Sequence, residues 1–302
     1  MEYSKEKITI EAQIKLLQQR GLIIEDAEEA KRFLSHVSYY RLAGYWWPFQ
    51  QDKINHIFKP DSFFKDVVSL YEFDRKLRLL LFKVIERIEI SLRTKLIYHL
   101  SHEFDPWWFQ RTELFINVRE LAMTLALLDE EISRSREAFI KEHKKKYTDD
   151  GRFPPAWKSL ELTSFGALSK LYGNLKHTCK SKDLIAAEFG TVNHTYLPSW
   201  LQSITQIRNH CAHHNRLWNR NLPGRPKLLS RPPFSWVVNV PKENEFEKLY
   251  VHLCCMKYLL DRIEPINSFT QELERILIEH PNVDPNALGL KPDWQEEPLW
   301  KI

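Results

Sequence analysis

Leu70-Tyr71-Glu72-Phe73-Asp74-Arg75-Lys76-Leu77-Arg78-Leu79-Leu80-Leu81-Phe82-Lys83-Val84-Ile85-Glu86-Arg87-Ile88-Glu89-Ile90-Ser91-Leu92-Arg93 contains neither glycine nor proline. Its apolar residues return at the helical period: Leu70, Phe73, Leu77, Leu80, Val84, Ile88, Leu92 and then Leu96 form one stripe. The spacing predicts a single helix from Phe63 to about Ser101, with Asp61 or Ser62 as its N-cap. At 1.5 Å per residue it is roughly 57 Å long, enough to brace a whole domain. Glu89 and Arg93, four residues apart, make a modest supporting pair on its surface.

Outward from this helix the chain keeps the same character. Only 8 glycines occur in 302 residues, and runs of Leu, Ile, Glu, Lys and Arg predominate, which favours helices over sheets. The expected fold is all-α, a helical bundle with one long bracing helix and an N-terminal helical extension. Thr9 caps a first helix, Ile10 to Arg20, which Gly21 ends in a left-handed conformation; Asp26 opens a second, through Val37. An aromatic block, Tyr39 to Phe49, closes at Pro48, and a polar connection follows from Gln50 to Pro60. Further helices are expected over Asn117–Lys146, Ala156–Leu175, Lys182–Phe189, Tyr196–Asn219, Asn244–Arg262 and Ser268–His280, with an extended stretch, Leu222–Pro241, that has room for a short hairpin. This organises the chain as an extension over residues 1–60, a main helical domain over 61–280 with an internal boundary near 147–155, and a tail over 281–302.

Composition bounds the class. With 43% hydrophobic residues the chain can bury a full core, and a net charge of +4 permits nucleic-acid binding without requiring it. The four cysteines, Cys179, Cys211, Cys254 and Cys255, form no CxxC pair, so a disulfide scaffold or zinc finger is not expected and a reducing cytoplasm fits best. Met1–Lys5 leads into a polar helix with no apolar signal core, and the most apolar run, Leu77 to Ile90, is interrupted by five charged residues, so no membrane span is expected.

The stretch that carries chemistry is Arg208-Asn209-His210-Cys211-Ala212-His213, continuing as His214-Asn215-Arg216-Leu217-Trp218-Asn219-Arg220. On one continuous helix, Thr205, Asn209, His213, Arg216 and Arg220 make a polar stripe opposite Leu197, Trp200, Ile204, Ile207, Cys211 and Trp218. Metal-free RNA cleavage needs a base for the 2′-hydroxyl, an acid for the 5′-oxygen and cationic donors for the phosphate. Histidine titrates near neutrality and arginine grips phosphate oxygens with a planar fork. Arg208 lies about 140° round the helix from His213, so the two converge only by side-chain reach or with a second subunit. The looser pattern Arg followed by His recurs at Arg93 and His99, Arg136 and His143, and Arg275 and His280; the Arg208 copy differs in its Asn209, its Ala212 and the cations beyond it.

Plainer readings stand beside this one. Arg208, Asn209 and His213 can form a structural network with Glu86, Glu89 or Glu161. His210 and His214, with Cys211, have the spacing of a zinc site but no glutamate between them and no further ligand cluster, so no metal is assigned. Tyr39, Tyr40, Arg41, Tyr45, Trp46 and Trp47 can stack on unpaired bases, with Arg41 on phosphate, or pack a core. Lys144, Lys145 and Lys146 with Arg134 and Arg136 form either an RNA-backbone patch or a solvated helix end.

The Arg208–Arg220 passage resembles the signature of the Abi-like abortive-infection proteins of bacteria, of the AbiD/AbiF type, whose members carry a HEPN ribonuclease-type domain. The resemblance extends through Tyr39-Tyr40-Arg41-Leu42 with Gly44-Tyr45, through Leu70–Arg78 and Ile85–Arg93, and on to Pro155-Ala156-Trp157, Glu161, Ser164-Phe165-Gly166 and Ser199-Trp200-Leu201. It implies an all-α HEPN-like bundle in which Arg208, Asn209 and His213 fill an Arg-polar-x-x-x-His motif. It also implies metal-independent, cofactor-free RNA cleavage giving 2′,3′-cyclic phosphate ends, at a site completed by two facing copies of the motif. Because this chain has one good copy, a homodimer is expected. RNA is the implied partner, as substrate and as a small structured non-coding RNA that restrains the protein. The residues expected to bind RNA are Arg216, Arg220, Lys144, Lys145, Lys146 and Arg41. The alternative is a non-catalytic RNA-binding protein complexed with such an RNA, which the same stripe holds.

Overall fold

A computed structural model describes residues 6–301; the Met1–Lys5 stretch lies outside the described residues. Among the described residues the fold is all-α apart from one two-stranded hairpin, and the chain divides into two compact units. The smaller comprises residues up to Arg78 together with Leu273–Asp284; the larger comprises Leu79–Glu272 and the residues from Pro285 onward. Residues 147–155 fall inside the larger unit.

In the smaller unit, α1 (Ile10–Gln19) begins where Thr9 accepts a hydrogen bond from the Ala12 N–H. It ends in a Schellman turn: Leu22 N–H donates to Leu17 O (3.0 Å), Gly21 N–H to Gln18 O (2.9 Å), and Gly21 takes φ +93°. Asp26 caps α2 (Ala27–His36), and Ser38 caps α3 (Tyr39–Trp46). The expected polar connection is instead a hairpin of β1 (Gln50–Asp52) and β2 (Ile57–Phe58), whose turn is held by Asp52 accepting from the Ile54 and Asn55 N–H groups.

The long helix is present as α4 (Phe64–Glu103), and the eight apolar residues of its predicted stripe are all buried. Neither proposed cap acts as one: Asp61 sits at φ +58°, and the Ser62 hydroxyl donates to Phe49 O. Tyr45 reaches α4 with its hydroxyl 2.7 Å from Asp74 Oδ2, and Arg78 pairs with the same carboxylate, all three buried. A buried carboxylate and guanidinium are tolerable only when paired in this way.

In the larger unit the single helix expected over 117–146 is two, α5 (Val118–Arg134) and α6 (Ala138–Lys146). Ser135 and Glu137 are extended, and the Ser135 hydroxyl accepts from the Glu137 N–H, a local bond that competes with helix continuation. The predicted 156–175 helix is likewise divided, into α7 (Ala156–Ser159) and α8 (Phe165–Asn174, capped by Ser164). There follow α9 (Lys180–Glu188), α10 (Leu197–Ala212), α11 (Leu249–Ile263) and α12 (Phe269–Glu279). Arg93 is not a surface residue: besides Glu89 it donates to Leu160 O and Thr163 O, joining α4 to the α7–α8 segment. Residues 222–241 contain no strand; Trp200 Nε1 donates to Lys227 O, and Lys227 N–H to Ser199, pinning that connection to α10. The tail docks on its own unit, with Trp300 buried against Tyr250, Phe269 and Trp294.

Candidate functional site

The helix that presents Arg208, Asn209 and His213 is shorter than its sequence pattern. α10 stops at Ala212, His213 is its C-cap, and His214 takes φ +56°. The Asn215 N–H donates to His210 O (2.8 Å) and the His214 N–H to Cys211 O (3.1 Å), so the ending is the same Schellman turn that closes α1, with histidine where glycine stands there. Arg216 and Arg220 are therefore not on the helical stripe; they reach this end of α10 from the returning chain.

Up to Cys211 the apolar stripe behaves as predicted: Leu197, Trp200, Ile204, Ile207 and Cys211 are buried, and Trp218 joins them from outside the helix. That burial fixes the helix rotation and leaves Asn209 and His213 exposed, one turn apart. The His213 N–H also donates to Asn209 O (3.0 Å). Arg208 is half-buried, with its Nε shielded from water and lacking a hydrogen-bond partner.

His210 sits between the faces. Burial, then the nearby positive charge of Arg220, then that of His213, hold its imidazole below its ordinary pKa, which places the three side chains within electrostatic reach. Arg220 is steadied by a hydrogen bond from its Nη1 to Arg216 O. From sequence, His210 shows only the spacing of a zinc ligand; its three-residue spacing from His213 is the signal that draws it into the site. No group of three or more His, Cys, Asp or Glu side chains able to hold a metal occurs among the described residues.

Of the carboxylates set against the site as structural partners, Glu89 and Glu161 are engaged by Arg93. Two of the three other Arg-to-His copies are committed elsewhere: His99 to Glu188, Arg275 to Glu279, and His280 to Ser69. Lys144 spends its ammonium on Ile132 O, tying α6 to the end of α5, while Lys145 is exposed and Lys146 lies over the Tyr147 ring. Arg41 belongs to the smaller unit, over the Tyr71 ring. In the aromatic block Tyr45 and Trp46 are core, whereas Tyr40 is 90% exposed. A groove of about 500 Å³ opens along α10 beside Thr205, one turn before Asn209, walled by Gln202, Gln206, Ser169 and Asn174.

Comparison with known families settles the kinship: residues 32–219 match the family described as Abi-like protein, more than half of the chain. The chain belongs to the Abi-like family. Neither the curated proteins nor the solved structures compared with it include a match. The Abi-like match takes in the Tyr45–Asp74–Arg78 network, the Arg93 junction and the whole end of α10, and stops at Asn219. No helix among the described residues is long and apolar enough to cross a membrane.

Proposed function

We propose that this Abi-like protein is an abortive-infection effector of phage defence, a metal-independent HEPN-type endoribonuclease. The observation that carries the reading is that Asn209 and His213 stand exposed one turn apart at the end of α10, next to an arginine whose Nε has no protein acceptor. In this reaction the 2′-oxygen attacks phosphorus, its proton passes to a histidine, and the 5′-oxygen leaves with a proton, giving a 2′,3′-cyclic phosphate and a 5′-hydroxyl. His213 exchanges the proton, and Arg208 and Asn209 hold the phosphate oxygens, where charge builds in the transition state. Imidazole from a second copy of the chain supplies the opposite proton transfer, so the working form is a homodimer. The groove beside Thr205 suits an unpaired nucleotide flanking the scissile bond.

The test is incubation of purified protein with mixed cellular RNA in chelator, alongside folded His213→Ala and Arg208→Ala variants. Cutting by the wild type that falls at least about a hundredfold in either variant is the expected result. One observation favours a second reading: Arg220 and Arg216 come to the same helix end from outside the helix, a cationic setting that suits holding a structured RNA as well as cutting one. Stable RNA binding with no cutting by the wild type would establish that reading instead.

A further inference from the structure

Outside the α10 site, the larger unit holds a cavity of about 390 Å³ between α11, the start of α12, the 222–241 connection and the C-terminal tail. Its size falls in the range of small-ligand sites, roughly 300–1,000 Å³. The decisive residue is Arg262, in the last turn of α11. Its guanidinium lies over the Phe234 ring, 3.8 Å from the centroid, and its Nε is buried without a hydrogen-bond partner. No ion pair to Arg262 exists among the described residues. Arg262 is half-buried, and an Nε–H cut off from water without an acceptor carries a desolvation cost that a ligand bringing the acceptor removes.

The rest of the wall explains why that acceptor must come from outside. Asp261 is the nearest carboxylate in sequence, but both its oxygens are taken by Lys257 Nζ (2.6 and 2.7 Å), and Asn267 donates to one of them as well (2.8 Å). Lys301, exposed in the tail, lies 3.6 Å from the Glu296 carboxylate. Lys257 and Asp261 offset one another and Lys301 is shared with Glu296, so Arg262 is the cation of this wall that no carboxylate among the described residues pairs. The stack itself is built into the fold. Gly190 ends α9 with φ +74°, and a Cβ there would lie 2.9 Å from the Phe234 ring and 3.2 Å from Arg262 Cδ. The Tyr258 hydroxyl donates to Gly190 O (2.6 Å), fixing that backbone against α11.

We propose that this cavity binds a small phosphate monoester, such as a mononucleotide, with Arg262 gripping two phosphate oxygens and Lys301, shared with Glu296, making a smaller contribution. A planar fork with no protein partner suits a tetrahedral dianion better than any neutral ligand. The site shares no residue with the α10 end, so it stands or falls independently of the nuclease reading.

The experiment is isothermal titration of the full chain, at constant ionic strength, with adenosine 5′-monophosphate, ribose 5-phosphate, inorganic phosphate and adenosine. Saturable binding of both phosphate esters with none of adenosine is expected, and the difference between the two esters shows whether the base contributes. Arg262→Lys should weaken binding about tenfold, because an ammonium keeps the charge but not the fork, and Lys301→Met by less. Arg262→Met should abolish it, and if that variant fails to fold the lysine variant and Lys301→Met carry the test. Absence of phosphate-ester binding by the wild type at millimolar ligand, adenosine binding as well as its monophosphate, or an Arg262→Lys variant that binds like the wild type would each overturn the proposal.

Discussion

His214 occupies a backbone position that most helices give to glycine. At φ +56° its Cβ crowds the neighbouring carbonyl, a cost of about 1 kcal/mol that Gly21, in the equivalent turn after α1, escapes. His214→Gly is therefore expected to raise stability by about 0.5–1 kcal/mol in urea unfolding, and His214→Val to lower it by more, since a β-branched residue tolerates this conformation worst. RNA cutting should survive the glycine variant, because His214 has no part in the proposed chemistry. A second residue-scale prediction concerns His252, buried with Nδ1 against the Ser203 hydroxyl. Burial lowers its pKa from 6.5 to about 4, so the folded protein binds fewer protons than the unfolded chain between those values. Its contribution, on the order of 3 kcal/mol, is fully present above pH 6.5 and is lost as the pH falls toward 4. His210, His280 and His143 are shifted the same way, so the measurement is a difference: His252→Asn should be less stable at pH 7 and show a shallower loss of Tm between pH 6.5 and 4 than the wild type.

Elements are joined by caps that reach across the fold. α9 starts at Lys180 with no capping side chain of its own; Glu103, the last residue of α4, accepts from the Lys180 and Ser181 N–H groups (3.1 and 2.7 Å). Burial opposes the charged carboxylate, but these hydrogen bonds outweigh it and hold the Glu103 carboxyl below its usual pKa. Glu103→Ala is expected to cost about 1 kcal/mol in chemical unfolding, as loss of an N-cap does. The depressed pKa makes that stability present above pH 4.5 and lost on further acidification, so the variant and wild type should converge in acid.

The same local chemistry decides what could be read from sequence at this scale. α1 and α2 were legible because Thr9, Gly21 and Asp26 announce their ends. The overrun of α10 came from His214, which does a glycine's work, and the merging of α5 with α6 from Ser135, whose hydroxyl interrupts a strongly helical run. Strands of three and two residues are too short for a period of two to register, so the 50–58 hairpin read as a loop. The exposure of Asn209 and His213 followed from the stripe of Leu197, Trp200, Ile204 and Ile207. The approach of Arg220 to His210 could not be read from sequence, because it depends on how the chain returns after the helix.

At the scale of the molecule, the proposed chemistry asks more than one chain contains. A single Arg208, Asn209 and His213 set provides one imidazole for a reaction that needs an acid and a base, and Arg208 projects about 140° round the helix from His213. A twofold partner would bring a second set to the same phosphate, each surface meeting its own copy. This predicts how activity dilutes. After subunit exchange between wild type and an equal amount of His213→Ala, only about a quarter of randomly paired dimers hold two intact sets. If both histidines are required, RNA cutting should fall to about a quarter of that of the same total amount of wild type, against half for a protein that works as a monomer. Cutting per molecule should also decline on dilution of the wild type below its dimer dissociation constant. A mixture that retains half its activity, with cutting per molecule independent of concentration, would leave the second proton transfer to a group within the same chain, and His210, three residues from His213 and with its pKa lowered by burial and by Arg220, is the residue placed to perform it.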